Sequence, residues 1–150
     1  MDFLRNQHIL YSSKKYENIY TMFKDKFNIS YAQLFILCAT IGFKNNRKSN
    51  VEEKSREFRT NYMNTHERSS AYAIILGDQR LGKRITDFED AIFVTEAKKL
   101  LEEYAEGGMD VIIENVFKRK WDGVKLDESY IEYDIDLISY VYGQAKVIPF

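Results

Sequence analysis

Proline is nearly absent from this sequence, with Pro149 alone among 150 residues. Proline removes a backbone donor and clashes with the preceding helical turn, so its scarcity leaves long helices unobstructed. Cysteine is as rare. Cys38 has no second thiol to pair with and lies inside the apolar run Leu34-Phe35-Ile36-Leu37-Cys38-Ala39, where it reads as a small buried hydrophobe in a reducing cytoplasm. His8 and His66 are the only histidines, and no HxxxH or CxxC spacing occurs, so no metal site, cofactor or cysteine nucleophile is expected. The longest apolar run is far too short for a bilayer, and Met1 to His8 lacks a basic region followed by an apolar stretch. Neither membrane insertion nor secretion is therefore expected. A net charge of -1 gives no attraction of the whole molecule to nucleic acid or anionic lipid, which leaves that role to a local patch.

What is present suits one globular domain spanning residues 1–150. Hydrophobic residues make up 45% of the chain and charged residues 30%, a balance that supports a packed core rather than disorder. Aromatic residues are in surplus: 11 Tyr and 10 Phe stand against one Trp, and rings beyond those the core can absorb point to an interface.

Helical periodicity recurs almost throughout. Ser12 or Ser13 is a candidate cap for a helix with its apolar stripe at Tyr16, Ile19, Tyr20, Phe23 and Phe27. Ser30 can cap a second helix from Tyr31 to Ile41, apolar nearly all round and therefore central, with Gly42 as its stop. Residues 43–63 read as a polar connection holding at most a short helix near Glu52 to Arg59. Thr65 can cap the next segment, in which Ser69 to Leu76 fits either a helix or a buried strand. Thr86-Asp87-Phe88-Glu89 matches a capping box ahead of a long amphipathic helix carrying Ile92, Ala97, Leu100, Leu101 and Tyr104, which Gly107-Gly108 is expected to stop. Met109 to Lys118 then reads as a second short helix folded back at a glycine corner. Trp121-Asp122-Gly123 forms a turn, and Asp127 can cap a last helix with Ile131, Ile135, Ile138 and Tyr142 on one face, ending near Gly143 before a short extended tail, Ala145 to Phe150. The expected fold class is mostly α: a single-domain bundle of about five to six helices with room for one short strand or extended segment.

Gly77-Asp78-Gln79-Arg80-Leu81-Gly82-Lys83-Arg84 has two glycines and a lysine at the spacing of a phosphate-binding loop. Arg84 stands where a magnesium-binding hydroxyl belongs, and the nearest cap, Thr86, comes two residues late, so a glycine-containing turn is the preferred reading. Nucleotide chemistry through Asp78 and Lys83 is the minor one. Glu52-Glu53-Lys54 holds half of a nuclease-like motif without its upstream acid. Two basic clusters remain, Lys44, Arg47 and Lys48 with Arg56 and Arg59, and Arg80, Lys83 and Arg84. Brought together they could neutralise phosphates of a nucleic acid, although the interleaved Glu52, Glu53 and Glu57 favour ordinary solvated charge. Trp121, Tyr130, Tyr133 and Tyr140 form a candidate partner-binding aromatic face, with Tyr142 beside them.

Two blocks, Ala32-Gln33-Leu34-Phe35-Ile36-Leu37-Cys38-Ala39-Thr40-Ile41-Gly42-Phe43-Lys44-Asn45-Asn46-Arg47 and Glu102-Glu103-Tyr104-Ala105-Glu106-Gly107-Gly108-Met109-Asp110-Val111-Ile112, resemble in order and spacing the bacterial DNA phosphorothioation (dnd) system-associated protein 4 family. That resemblance implies an accessory protein of phage-defence loci with no assigned enzymatic activity and no catalytic residues to transfer. The small middle subunit of another ATPase-based defence complex is a related reading, on size and helical character.

The sequence thus leads to an accessory subunit that binds a larger nuclease or ATPase and, in one version, DNA. A stand-alone DNA-binding protein using residues 44–59 and 80–84 is the alternative. Both suppose that no acids and bases converge on one small volume.

Overall fold

Helical periodicity and the shortage of proline produce five α-helices, with one two-stranded antiparallel ribbon beside them, in the computed structural model, which describes residues 3–78 and 90–147 and, for residues 145–147, the backbone alone. Strand β1 is Ile9–Ser13 and β2 is Lys54–Arg59; between them lie α1, Glu17–Phe27, and α2, Tyr31–Lys44. After β2 come α3, Thr65–Gly77, then α4, Ala91–Ile112, and α5, Tyr133–Val147. A mostly α fold is what the residues predict. One cluster of buried side chains runs from Phe3 to Leu137. Among the described residues no helix is long and apolar enough to cross a membrane.

Helix α2 is the central element, as its all-round apolar character predicts. Its start is a reciprocal cap: Ser30 Oγ accepts from the Gln33 amide at 3.1 Å, and Gln33 Oε1 accepts from the Ser30 amide at 2.8 Å. Gly42 does not stop it. The helix runs on to Lys44, and Gly42 is buried where a Cβ would stand 2.1 Å from the Tyr104 carbonyl oxygen.

The same reason corrects the glycine corner expected at Gly107-Gly108. Helix α4 passes straight through both residues and continues, after Ile112, as a π-helical turn over Ile113–Phe117. A Cβ on Gly108 would lie 1.7 Å from the Cys38 carbonyl oxygen, and one on Gly107 would lie 2.1 Å from that of Arg47. Glycine in a helix costs about 1 kcal/mol relative to alanine, and here backbone-to-backbone contact between α2 and α4 offsets it.

Further corrections concern the ribbon. Ser12 and Ser13 belong to β1 and cap nothing; the cap position of α1 is Tyr16, whose side chain makes no capping bond. Residues 54–59 form β2 rather than a short helix, paired as Ile9 with Arg59, Leu10 with Phe58 and Tyr11 with Glu57, with an irregularity before Ser13 meets Lys54. The Phe58 ring packs edge-on against Phe35 at 5.0 Å, so one inward ring and cross-strand bonding override the helix-compatible charge pattern.

Residues 69–76 are helical, within α3, whose cap is Asn64, one residue earlier than expected, in a reciprocal box with Glu67. The Thr86 to Glu89 cap lies outside the described residues, and Asp90 starts α4 by accepting from the Ile92 amide at 3.0 Å. The Trp121-Asp122-Gly123 turn is present: Gly123 has φ +101°, and Asp122 Oδ1 accepts from the amides of Val124 and Lys125. Asp127 caps only its own turn, through Ser129, six residues ahead of α5. Residues 145–147 are helical rather than extended.

Candidate partner surface and acidic cleft

The basic residues of the 44–59 segment are partly spent within the molecule. Arg47 grips Glu114 with both Nη atoms, each 2.6 Å from a carboxylate oxygen, and this holds the Glu114 carboxyl below its ordinary range. Lys48 Nζ lies 3.7 Å from Asp78 Oδ2 and 5.6 Å from the centre of the Tyr104 ring. Arg56 Nε sits 3.4 Å from Glu17 Oε1. Lys44 and Arg59 are exposed and have no ion pair among the described residues. Arg80, Lys83 and Arg84 lie outside the described residues, so the two clusters are not placed relative to each other.

The start of the phosphate-loop pattern is used structurally. Gly77 ends α3 with its Cα against the Phe43 ring, and the buried Asp78 carboxylate accepts from Tyr104 Oη at 3.0 Å. Burial, then this bond to Asp78, raises Tyr104 to about 12.

The aromatic face divides. Tyr133 is fully buried, its hydroxyl donating to the Asp127 carbonyl at 2.7 Å and its ring edge-on to Phe117 and Tyr130, so it is a core residue and not a surface contact. Tyr130 is half-buried, donates to Asp136 Oδ2 at 2.5 Å and carries Lys120 Nζ 4.3 Å above its ring. Trp121, half-buried, packs on Tyr16 at 5.6 Å. Tyr140 is half-buried beside Val141, where both line a 270 Å³ hollow between α2 and α5.

The opposite side of α5 carries the isoleucines of that helical face, and they are exposed. Ile131, just before the helix, is 76% exposed, Ile135 56%, Ile138 63% and Tyr142 61%. Two stripes compete on this helix. Tyr133 and Leu137 form the one that packs inward, because the Tyr133 ring finds Phe117 and its hydroxyl finds a carbonyl. The isoleucine stripe is left facing out. Around it, residues 126–145 contain Asp127, Glu128, Glu132, Asp134 and Asp136 and no lysine or arginine.

A second feature is a cleft of about 710 Å³ between the end of β1, the start of α1, residues 49–53, α4 and the Gly123 turn. Five carboxylates (Glu17, Glu52, Glu53, Glu106, Asp110) and two ammonium groups (Lys14, Lys15) line it. The expectation that acids and bases nowhere converge is thereby corrected. Asp110 is well supplied: the Tyr16 hydroxyl and Ser49 Oγ donate to it, the latter at 2.6 Å, and Lys15 Nζ lies 4.0 Å away. Glu106, one turn earlier on α4, is only 7% exposed, and no described group makes it a well-formed hydrogen bond. Burial pushes its carboxyl up to about 7; Ser13 beside it and Lys15 hold it down in part, while Asp110 and Glu52 push it further up. Ser13 Oγ, in a side chain 3% exposed, is close enough to be felt by Glu106 yet has no partner of good hydrogen-bond geometry.

Glu102, one further turn up α4, differs in being satisfied. Its Oε2 accepts from the Tyr11 amide at 2.8 Å and Oε1 faces Lys54 at 3.7 Å, which fastens β1 to α4; burial still raises its carboxyl. The sequence signal for this row was available: Glu102, Glu106 and Asp110 recur every four residues on a helix otherwise lined with buried apolar side chains. Among the described residues no group of three His, Cys, Asp or Glu side chains could hold a metal ion.

Comparison of the chain with protein-family models, with curated proteins and with solved structures gives no match.

Proposed function

We propose that this chain is an accessory subunit of a bacterial phage-defence complex of the DNA modification-restriction type, docking on a larger nuclease or ATPase through the outer face of α5. The observation that carries the reading is the pair Ile135 and Ile138 on the outer side of α5, with Ile131 just ahead of the helix, three large apolar side chains each more than half exposed. Single exposed apolar residues are ordinary, whereas Ile135, Ile138 and Tyr142 at helical spacing fit an apolar groove in the manner of helix-in-groove recognition. The flanking acids specify the rest of the partner. A second copy would bring a segment with five acids and no lysine or arginine against its like, so the groove belongs to a different protein and has a basic rim. The resemblance of residues 32–47 and 102–112 to the dnd-associated family supplies the defence context.

Co-expression with the products of neighbouring genes tests this. The wild type is expected to co-purify in fixed stoichiometry, and the Ile135→Asp, Ile138→Asp double variant to melt like the wild type and lose the partner. A lone monomer in native lysate, or a complex indifferent to the double variant, goes against it. DNA contact is the subordinate reading, favoured by Lys44 and Arg59, since the pairing of Arg47, Lys48 and Arg56 reduces the free positive charge. Its check is duplex affinity against salt, where phosphate contacts give a steep decline and absence of binding at low salt removes the idea.

A further inference from the structure

We infer that the cleft between β1 and α4 is a binding site for a small guanidinium-bearing molecule, with Glu106 and Ser13 as its hydrogen-bond partners at the floor. This site is independent of the α5 docking face, with which it shares no residue.

Three observations lead there. The first is the contrast between neighbouring carboxylates. Asp110 already receives two hydroxyl donors and a nearby ammonium, while Glu106, more deeply placed, receives no well-formed hydrogen bond. A buried carboxyl without donors is costly, and the groups that line active or binding sites are a common place to find one. The second is Ser13 Oγ, which lies beside Glu106, close enough to lower its carboxyl, and is buried without a partner of good hydrogen-bond geometry, the one buried side-chain oxygen or nitrogen in that condition among those described. The third is size. A cleft of about 710 Å³ is within the roughly 300–1,000 Å³ typical of small-molecule sites and far larger than one ion or water requires.

The chemistry of the occupant follows from what the walls offer. Carboxylates outnumber ammonium groups, so the ligand is a cation. A metal is not indicated, because no three ligating side chains converge among the described residues. Between organic cations, guanidinium is favoured over ammonium: it is planar, matches two carboxylate oxygens at once, has donors left for a hydroxyl, and is the more weakly hydrated, which suits a buried acceptor. Lys14 and Lys15 lie on the cleft wall with more than half of their side chains exposed, Lys14 facing Glu53 and Lys15 facing Asp110.

Proton linkage gives the site a signature. Glu106 faces Asp110 on its own helix, Lys15 and Tyr16 ahead of α1, Tyr20 on α1, Cys38 on α2 and Glu52 in the 49–53 segment. Tyr16, Tyr20 and Cys38 are all held protonated by burial, so Glu106 is the group that changes charge near neutrality. A bound cation favours its ionised form, and binding therefore releases a proton.

Calorimetry on the full chain decides the matter, with butylguanidinium as probe and its uncharged isostere butylurea as control. Saturable one-to-one binding of butylguanidinium, at least tenfold tighter than butylurea and strengthening between about pH 6 and pH 8, is expected. The Glu106→Gln variant should weaken binding at least tenfold and abolish the pH dependence, and Ser13→Ala should weaken it by a smaller factor. Acetyl-arginine methylamide, run beside the probe, separates a side chain of another protein from a free small molecule as the source of the guanidinium, since the tighter of the two names the source. Absence of saturable heat, equal affinity for butylurea, or full retention of binding in both variants while they melt as folded proteins overturns the site.

Discussion

Helices α2 and α5 are both rich in apolar residues, yet the fold uses them in opposite ways. Where α2 faces α4 the packing is closed: Gly42 meets the backbone of α4, and Gly107 and Gly108 of α4 meet the carbonyls of Arg47 and Cys38. Around α5 one stripe is closed and the other is left outside, while Gly143 has open space where a Cβ would be. Apolar content alone therefore does not decide burial. What decides it is whether the facing surface is shaped for the helix: backbone in contact with backbone at α2, and a single aromatic lock, Tyr133 on Phe117, at α5.

The hardest way to break this comparison is to separate α2 from α4. A Gly108→Ala substitution forces a methyl group into a space 1.7 Å from a carbonyl oxygen that belongs to backbone and cannot rotate away. We expect a loss of about 3 kcal/mol or more, read as a collapse of the urea midpoint or failure to fold. A Gly108→Ala protein with wild-type stability would mean that the two helices are not in contact there.

Helix α4 also carries a titration, on the side that faces β1. In the unfolded chain Glu106 has its ordinary value near 4.5, whereas burial raises it to about 7 in the folded protein. Between those values the folded state binds more protons than the unfolded state, so stability falls as pH rises through that window and levels off above it. The contribution lost is roughly 3 kcal/mol. Urea unfolding of wild type and Glu106→Gln at several pH values isolates it: the wild type should lose stability relative to the variant from pH 5 to pH 8, and parallel curves would show that Glu106 is solvated.

The helical class, the caps at Ser30 and the Trp121 turn were legible because each rests on chemistry within a few residues. Gly107-Gly108 was misread for a physical reason. Glycine marks both a helix end and a close helix crossing, and only the position of α2, some sixty residues away, distinguishes them. The strand at Lys54 to Arg59 was hidden similarly, since one partly buried ring, Phe58, gives no periodicity. At α5 the two stripes have equal helical spacing, and the choice between them lies in Phe117 and the Asp127 carbonyl. The row Glu102, Glu106 and Asp110 was visible as a spacing, but its burial comes from β1 folding over it.

Opposite faces of α5 sharpen the comparison with a smaller effect. Leu137→Ala removes a buried side chain and should cost about 2–5 kcal/mol, whereas Ile138→Ala, next to it and outward, should stay within about 0.5 kcal/mol. Thermal melts of the two single variants suffice. If Ile138→Ala is the more damaging, the helix is rotated from the orientation described.

The smallest effect has the opposite sign and closes the contrast between glycines. Gly143 lies inside α5, carries no positive φ, and has nothing within 4 Å of an added Cβ. None of the reasons that hold glycine at position 108 applies to it. What remains is its entropic penalty in a helix, so Gly143→Ala should stabilise the protein by about 0.5–1 kcal/mol, read as a small rise in melting temperature. The same chemical change, one methyl group for one hydrogen, is then ruinous in one helix and helpful in another. A destabilised Gly143→Ala chain would instead place a neighbour against that part of α5, and if the loss appeared only in the partner complex, that neighbour would be the docked protein.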